Sequence, residues 1–130
     1  MTIEHPVDIH EAVVEAFNAG DLDAVMALYE DDAGMVTMDG ETVARGRDAI
    51  RENWAGLLAF GGTMSLTTRY AIEVGDLALL SNDYTVMVGD DSVSGSTAEV
   101  VRRQPDGGWL YAIDHPTGAG DPPALPDAPG

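Results

Sequence analysis

Three acid–base side chains near the end of the chain are the residues best suited to chemistry. Glu99, Asp114 and His115 lie in stretches where apolar residues recur at every second position. A partly buried imidazole can act as a general base near neutral pH, so His115 is the candidate base. Desolvation favours the protonated form of a carboxyl group, so Glu99 is a candidate acid or hydrogen-bond donor if it points inward, and Asp114 is a further acidic candidate beside His115. These groups predict proton transfer on a small molecule.

The direction of each side chain follows from strand alternation. Trp109, Tyr111, Ile113 and His115 share one face of the last predicted strand, and large aromatic residues usually face the core of a small domain. His115 is therefore predicted to point inward, with Asp114 on the opposite face unless a bulge intervenes. The alternative is a histidine that only forms hydrogen bonds at the end of a strand.

Four further side chains are predicted to bind substrate in the same pocket. Asn82 and Tyr84 share a face of a long predicted strand and could hold a carbonyl or hydroxyl group, or a developing oxyanion. Trp54 lies on the apolar stripe of a predicted helix, and Tyr111 shares the face of Trp109. The alternative for Trp54 and Tyr84 is ordinary core packing. Glu99 could instead lie on the surface, paired with Arg103 or Arg69.

The composition excludes several classes of chemistry. The six basic residues are all arginines and there is no cysteine, which excludes Schiff-base lysines, phosphate-binding P-loops, thiol nucleophiles and thiolate metal sites. His5 and His10 are five residues apart, a spacing that does not bring two metal ligands to one helix face. No metal site is expected.

The charge balance limits the partners. A formal net charge of -17 over 130 residues repels phosphate groups, so we expect neither nucleic acid nor an anionic membrane as a partner. The first residues lack a basic segment followed by an apolar run, and we therefore expect a cytoplasmic protein.

Helical spacing in the first half and alternation in the second predict the elements that position these residues. Helices are predicted from Pro6 to Gly20, from Leu22 to Tyr29, and from Arg47 to the Gly61-Gly62 pair. Strands are predicted at 35–38, 63–73, 77–88, 96–104 and 109–115, with a hairpin at Asp39-Gly40 and a loop at 89–95. Residues 1–117 would form one α+β domain, a cone of three N-terminal helices packed on a strongly curved antiparallel sheet. The Pro- and Gly-rich segment 118–130 is expected to be a disordered tail.

Three local motifs carry a resemblance to a known superfamily. They are Asn-Ala-Gly-Asp-Leu-Asp at 18–23, Leu-Tyr-Glu-Asp-Asp-Ala at 28–33 and Arg-Gly-Arg-Asp-Ala-Ile at 45–50. Their order resembles the nuclear-transport-factor-2-like superfamily, which includes ketosteroid isomerases and SnoaL-like polyketide cyclases. The resemblance covers residues 6–117 and implies a cone around one deep pocket.

The resemblance to the isomerases does not extend to their catalytic residues. Thr37 stands where they carry the proton-shuttling aspartate, and Val13 matches their oxyanion-hole tyrosine. Only their strand aspartate has a counterpart, which is Glu99. The isomerase mechanism is therefore not expected.

The segments 75–80 and 108–116 are more similar to the SnoaL-like group. That similarity implies a cyclase or isomerase that uses an acidic residue and a histidine without a cofactor on an apolar, oxygenated, polyketide-like substrate. The alternative is a domain of the same fold that only binds a ligand or supports assembly. Relatives usually form homodimers through the convex face of the sheet, where the sequence places Leu79, Met87, Ala98, Val100 and Ala112.

Overall fold

Three helices cover the inner face of one seven-stranded sheet in the computed structural model, which describes residues 2–37 and 39–119. The helices are α1 (Asp8–Asn18), α2 (Leu22–Met26) and α3 (Arg47–Ala59). The strands are β1 (Tyr29–Val36), β2 (Val43–Arg45), β3 (Thr63–Val74), β4 (Leu77–Val88), β5 (Asp91–Ser96), β6 (Ala98–Arg103) and β7 (Trp109–His115). The predicted α+β cone with three N-terminal helices is confirmed.

The sheet is mixed rather than wholly antiparallel. Its strand order is β2-β1-β7-β6-β4-β3, with β5 paired to β4. The pairing of β1 with β7 is parallel, and every other pairing is antiparallel. The parallel pair joins the first and last strands of the domain, which are neighbours in the middle of the sheet. No hairpin signal in the sequence predicts this contact.

Helix α1 is anchored by an apolar face with helical spacing. Ile9, Val13, Ala16 and Phe17 are buried against the sheet and the other helices. His10 is buried on the same helix, one turn from Val13. Asp21 caps α2, where its side chain accepts a hydrogen bond of 3.0 Å from the backbone N–H of Ala24. The short α2 turns the chain from α1 into β1.

A bulge in β7 changes which side chains face inward. Along β6, Val100 pairs with Ile113 and Val101 pairs with Tyr111, so Ala112 is an extra residue. Trp109 and Tyr111 face the core as predicted, but Ile113 is exposed and Asp114 is buried. The alternation beyond Tyr111 is therefore the reverse of the sequence-based prediction.

Two further elements differ from the predictions. Strand β1 begins at Tyr29, and the exposed Asp31 and Asp32 lie within it, because the buried side chains of Tyr29, Ala33 and Met35 hold this segment against the core. The predicted loop at 89–95 contains β5, which pairs with β4 despite its small polar residues. Met38 and the part of the predicted tail from residue 120 onward lie outside the described residues.

No helix in the part of the chain that the structure describes has the length and apolar character needed to cross a membrane.

Candidate functional site

A cavity of about 470 Å³ lies between the helices and the inner face of the sheet. Most of its wall is apolar and comes from both layers: Val13, Phe17, Trp54, Leu57, Leu66 and Val86. The lining residues Phe60, Val88, Asp91 and Val93 are exposed, which places the opening beside the end of α3 and the β4–β5 hairpin. The cavity therefore offers an apolar ligand a route in from one side.

The polar groups of the cavity are concentrated around two buried carboxyl groups. Glu99 on β6 and Asp114 on β7 are directly opposite each other in the ladder, so their side chains share the inner face. Both line the cavity and both are almost fully buried. Two neighbouring carboxyl groups in a poorly solvated site do not ionise independently, because the charge on one opposes the charge on the other.

Both carboxyl oxygens of Glu99 have hydrogen-bond partners. His10 Nε2 lies 3.0 Å from Glu99 Oε2, and these two side chains are 2% and 3% exposed. The hydroxyl of Thr97 and the amide nitrogen of Asn82 donate to Glu99 Oε1, the latter at 3.4 Å. The other ring nitrogen of His10 contacts the hydroxyl of Thr68 at 3.1 Å. The contacts from His10, Thr97 and Asn82 engage both carboxyl oxygens of Glu99.

Asp114 has a different environment, made of aromatic side chains. The hydroxyl of Tyr29 donates to Asp114 Oδ2 at 2.5 Å, and Trp54 Nε1 donates to the Tyr29 oxygen at 3.0 Å. Burial and the nearby charge of Glu99 raise the pKa of Asp114 from 3.8 to about 7, against the opposing effect of the Tyr29 hydrogen bond. Asp114 can therefore both release and accept a proton near neutral pH.

The tyrosines around the cavity stay protonated. Burial is the main cause that raises the pKa of Tyr29, Tyr84 and Tyr111, and the charge of Asp114 adds to it in each case. Tyr111 also shares a hydrogen bond with Glu99. Because a phenol with a raised pKa does not ionise, Tyr84 presents an O–H group in the cavity wall rather than a charge.

The structure brings most of the predicted site residues together. Trp54, Asn82, Tyr84, Glu99, Tyr111 and Asp114 all line the cavity. His115 does not line it, and the prediction that His115 points inward needs correction. The extra residue Ala112 reverses the alternation, so Asp114 takes the inward place and His115 pairs with Ala98 on the other face. Gly118 of the following turn lies against the His115 ring, where a Cβ atom would approach Cγ to 2.7 Å.

Glu99 and Asn82 have side-chain partners that the sequence does not predict. Glu99 is paired with His10, whereas Arg103 and Arg69 pair with Asp76 and Asp83 on the outside. The side-chain nitrogen of Asn82 is committed to Glu99. The reverse orientation of this amide would place two oxygens against each other. The contact with Glu99 uses one of the two N–H donors of the amide, so Asn82 and Tyr84 both stay predicted residues for holding an oxyanion.

Sequence reasoning missed two residues of the site. His10 is three residues before Val13 and seven before Phe17, both of which line the cavity, so helical spacing alone places it on the inner face of α1. Tyr29 was assigned to a helix, whereas it opens β1 and pairs with Tyr111. Its contact with Asp114 joins residues 85 positions apart, and no local signal indicates it.

Two of the three positions that correspond to isomerase catalytic residues, Thr37 and Val13, contribute no proton-transfer group to the cavity. Thr37 lies in the β1–β2 hairpin, where its hydroxyl donates to Asp39, and it does not line the cavity. Val13 lines the cavity with an apolar side chain. Across the described ranges, no cluster of three or more His, Cys, Asp or Glu side chains is arranged to hold a metal ion.

Comparison with known proteins agrees with this architecture. The family model of the SnoaL-like domain matches residues 10–112. A candidate calcium/calmodulin-dependent protein kinase type II association domain from Thiobacillus denitrificans aligns with a TM-score of 0.75 and 22% identity, covering 88% of this chain and 95% of that one. An NTF-2 like protein of unknown function from Shewanella oneidensis has a TM-score of 0.74 and 20% identity, covering 84% and 93%.

A third solved structure has a functional label. It is a candidate dehydratase of the NTF2-like family from Streptomyces avermitilis, with a TM-score of 0.68 and 22% identity, covering 82% of this chain and 87% of that one. At these identities the similarity shows the fold alone, and the functional labels belong to those proteins.

Proposed function

The chain belongs to the SnoaL-like domain family, and from this membership and the cavity chemistry we propose that it is a cofactor-free enzyme of the cyclase or isomerase type. Its substrate would be an apolar, oxygenated, polyketide-like small molecule, and its chemistry would be acid–base catalysis. The single observation that carries the proposal is Asp114, a cavity-lining carboxyl group whose pKa is raised to about 7. A group with that pKa can exchange a proton with substrate in both directions.

In the proposed mechanism, the Asp114 carboxylate removes a proton from a carbon atom next to a substrate carbonyl group. The electrons of the broken C–H bond move into an enolate, and the amide of Asn82 or the phenol of Tyr84 would bind its oxygen. Asp114 then returns the proton at another position, which gives an isomer. For ring closure, the enolate carbon attacks a second carbonyl carbon of the same substrate, the C=O π bond there breaks, and its oxygen takes the proton from Asp114. Tyr29 and Trp54 orient Asp114 throughout.

Glu99 assists proton transfer by Asp114 and does not itself exchange a proton with substrate. Both of its oxygens are engaged, by His10, Thr97 and Asn82. The charge of Glu99 disfavours the ionised form of Asp114 and makes Asp114 a stronger base than an ordinary aspartate. The two carboxyl groups thus have different environments and different roles.

Deuterium exchange tests the proposal without knowledge of the natural substrate. We expect the protein to speed the incorporation of deuterium from D₂O next to the carbonyl of β-tetralone, an uncharged apolar ketone, followed by proton NMR. Asp114→Asn should lower the protein-catalysed rate by about 100-fold or more, the usual contribution of a general base. Asp32→Asn removes the same charge from an exposed site on β1 and should have no effect.

Exchange no faster than in buffer, by a protein that binds β-tetralone, would contradict the catalytic proposal. The ligand-binding alternative would then be preferred. The absence of a proton-transfer group at Thr37 and Val13 is the observation that favours this alternative.

A further inference from the structure

The charged side chains that line the cavity in the described part of the chain are all acidic. Glu99 and Asp114 lie at its polar end, and Asp91 lies at its opening. Among the described residues that line it, none is an arginine or a histidine. An anionic ligand would therefore meet negative charge at the mouth and again at the polar end of the cavity.

The six arginines of the chain all lie outside the cavity wall. Arg51, Arg69, Arg102 and Arg103 form ion pairs with acidic residues outside the cavity. Arg47 donates to the backbone oxygen of Tyr29 at 2.9 Å, and Arg45 is exposed on β2. None of these side chains lines the cavity.

His10 is the basic group nearest to the cavity, and it is screened from a ligand. Its Nε2 atom contacts Glu99 and its Nδ1 atom contacts Thr68, so both ring nitrogens are engaged. The imidazole stands behind Glu99 and does not line the cavity. Any positive charge on His10 is therefore matched by Glu99 and is not available as a counter-ion for substrate.

From this arrangement we propose that the substrate is uncharged, a ketone, alcohol or ester, and that carboxylates, phosphates and coenzyme A thioesters are excluded at the binding step. The inference rests on the proposed function and adds the charge class of its substrate. A carboxylate that enters the apolar cavity loses its hydration, meets the Asp114 carboxylate and gains no counter-ion. The overall charge of -17 further slows its approach.

Three ligands with one rigid apolar body test the charge class by calorimetry. We expect adamantanemethanol to bind about 10- to 100-fold more tightly than adamantanecarboxylate at about pH 8, where Asp114 is mostly ionised. A carboxylate that binds as tightly as the alcohol would overturn the proposal. Adamantanemethylammonium that binds more than about tenfold tighter than the alcohol would also overturn it, because the site would then select cations.

Matched variants locate the origin of the selectivity. Asp114→Asn should reduce the ratio of the two dissociation constants, carboxylate over alcohol, by about tenfold. Asp32→Asn removes an exposed charge and should leave that ratio unchanged. An unchanged ratio in Asp114→Asn would contradict the assigned cause.

The two proposals fail in different ways. If the protein prefers the alcohol but does not accelerate deuterium exchange, the proposed charge class stands and the acid–base function is wrong. If it accelerates exchange but binds the carboxylate as tightly as the alcohol, the acid–base function stands and the charge class is wrong. Binding of none of the three ligands would count against this inference, and exchange would then decide the proposed function separately.

Discussion

Asp114 combines a buried position with a hydrogen bond that favours its charged form, and the balance between them sets its protonation. Burial and the charge of Glu99 raise its pKa, while the Tyr29 hydroxyl lowers it, with a result of about 7. The folded protein therefore binds a proton at Asp114 more strongly than the unfolded chain does. Such a group stabilises the fold at low pH, and this stabilisation is lost as the pH rises from about 4 to about 7.

The first prediction concerns the pH dependence of stability. Asn at position 114 is neutral at every pH and can still accept the hydrogen bond from Tyr29, so Asp114→Asn should be more stable than the wild type at about pH 8, by about 2 kcal/mol or more. The difference should vanish towards pH 4, where Asp114 is protonated. Urea unfolding at several pH values measures both effects. A variant less stable than the wild type at about pH 8 would contradict the prediction, and Asp32→Asn serves as the control.

At the scale of the elements, the buried pair of His10 and Glu99 joins α1 to β6. The two residues lie 89 positions apart, and their side chains meet at 3.0 Å with almost no exposure. Removing one member of such a pair leaves an uncompensated charge in the interior, which costs more than removing both charges. The pair therefore fixes where α1 lies over the cavity.

The second prediction is a double-mutant cycle on this pair. His10→Leu should lower the free energy of unfolding by about 3 kcal/mol, because the Glu99 carboxylate loses its partner. When Glu99→Gln is already present, the same change should cost at least about 1 kcal/mol less, since position 99 then carries no carboxylate that loses its partner. Urea unfolding measures the four proteins. Strictly additive losses would show that the two side chains do not stabilise each other.

At the scale of the whole molecule, the convex face of the sheet carries an apolar row. The ladder aligns Ile72, Leu79, Val100 and Ile113 across four strands, and Ile72, Leu79 and Ile113 are 53%, 40% and 52% exposed. Ala112, which the sequence placed on this face, is buried at the bulge, and Ile113 takes its place. We propose that a second copy of the chain covers this row, because a self-complementary apolar sheet face suits a two-fold dimer.

The third prediction follows from this row and from the charge of the chain. Sedimentation should show a dimer that strengthens with added salt, because salt screens the repulsion between two copies of charge -17. Ile113→Glu should give monomers. Phe60→Glu, at the cavity opening, makes the same kind of change at a residue that is 78% exposed and should leave the dimer intact. A wild-type monomer at micromolar concentration, or a dimer that survives Ile113→Glu, would contradict the proposed interface.

Local patterns in the sequence are enough to predict the fold class and much of the cavity wall. Helical spacing and alternation are local properties, so they correctly placed Trp54, Asn82, Tyr84, Glu99 and Tyr111 on surfaces that face the cavity. The order of elements was sufficient to indicate an α+β cone.

Which groups meet inside the cavity depends on contacts between distant parts of the chain. The extra residue in β7 turned Asp114 inward and His115 outward, and alternation cannot foresee a bulge, because its position depends on the pairing with β6. The contacts of His10 with Glu99 and of Tyr29 with Asp114 join residues more than 80 positions apart. Proton affinity in this cavity depends on burial and on those contacts, so the choice of Asp114 as the proton-transfer residue required the folded chain.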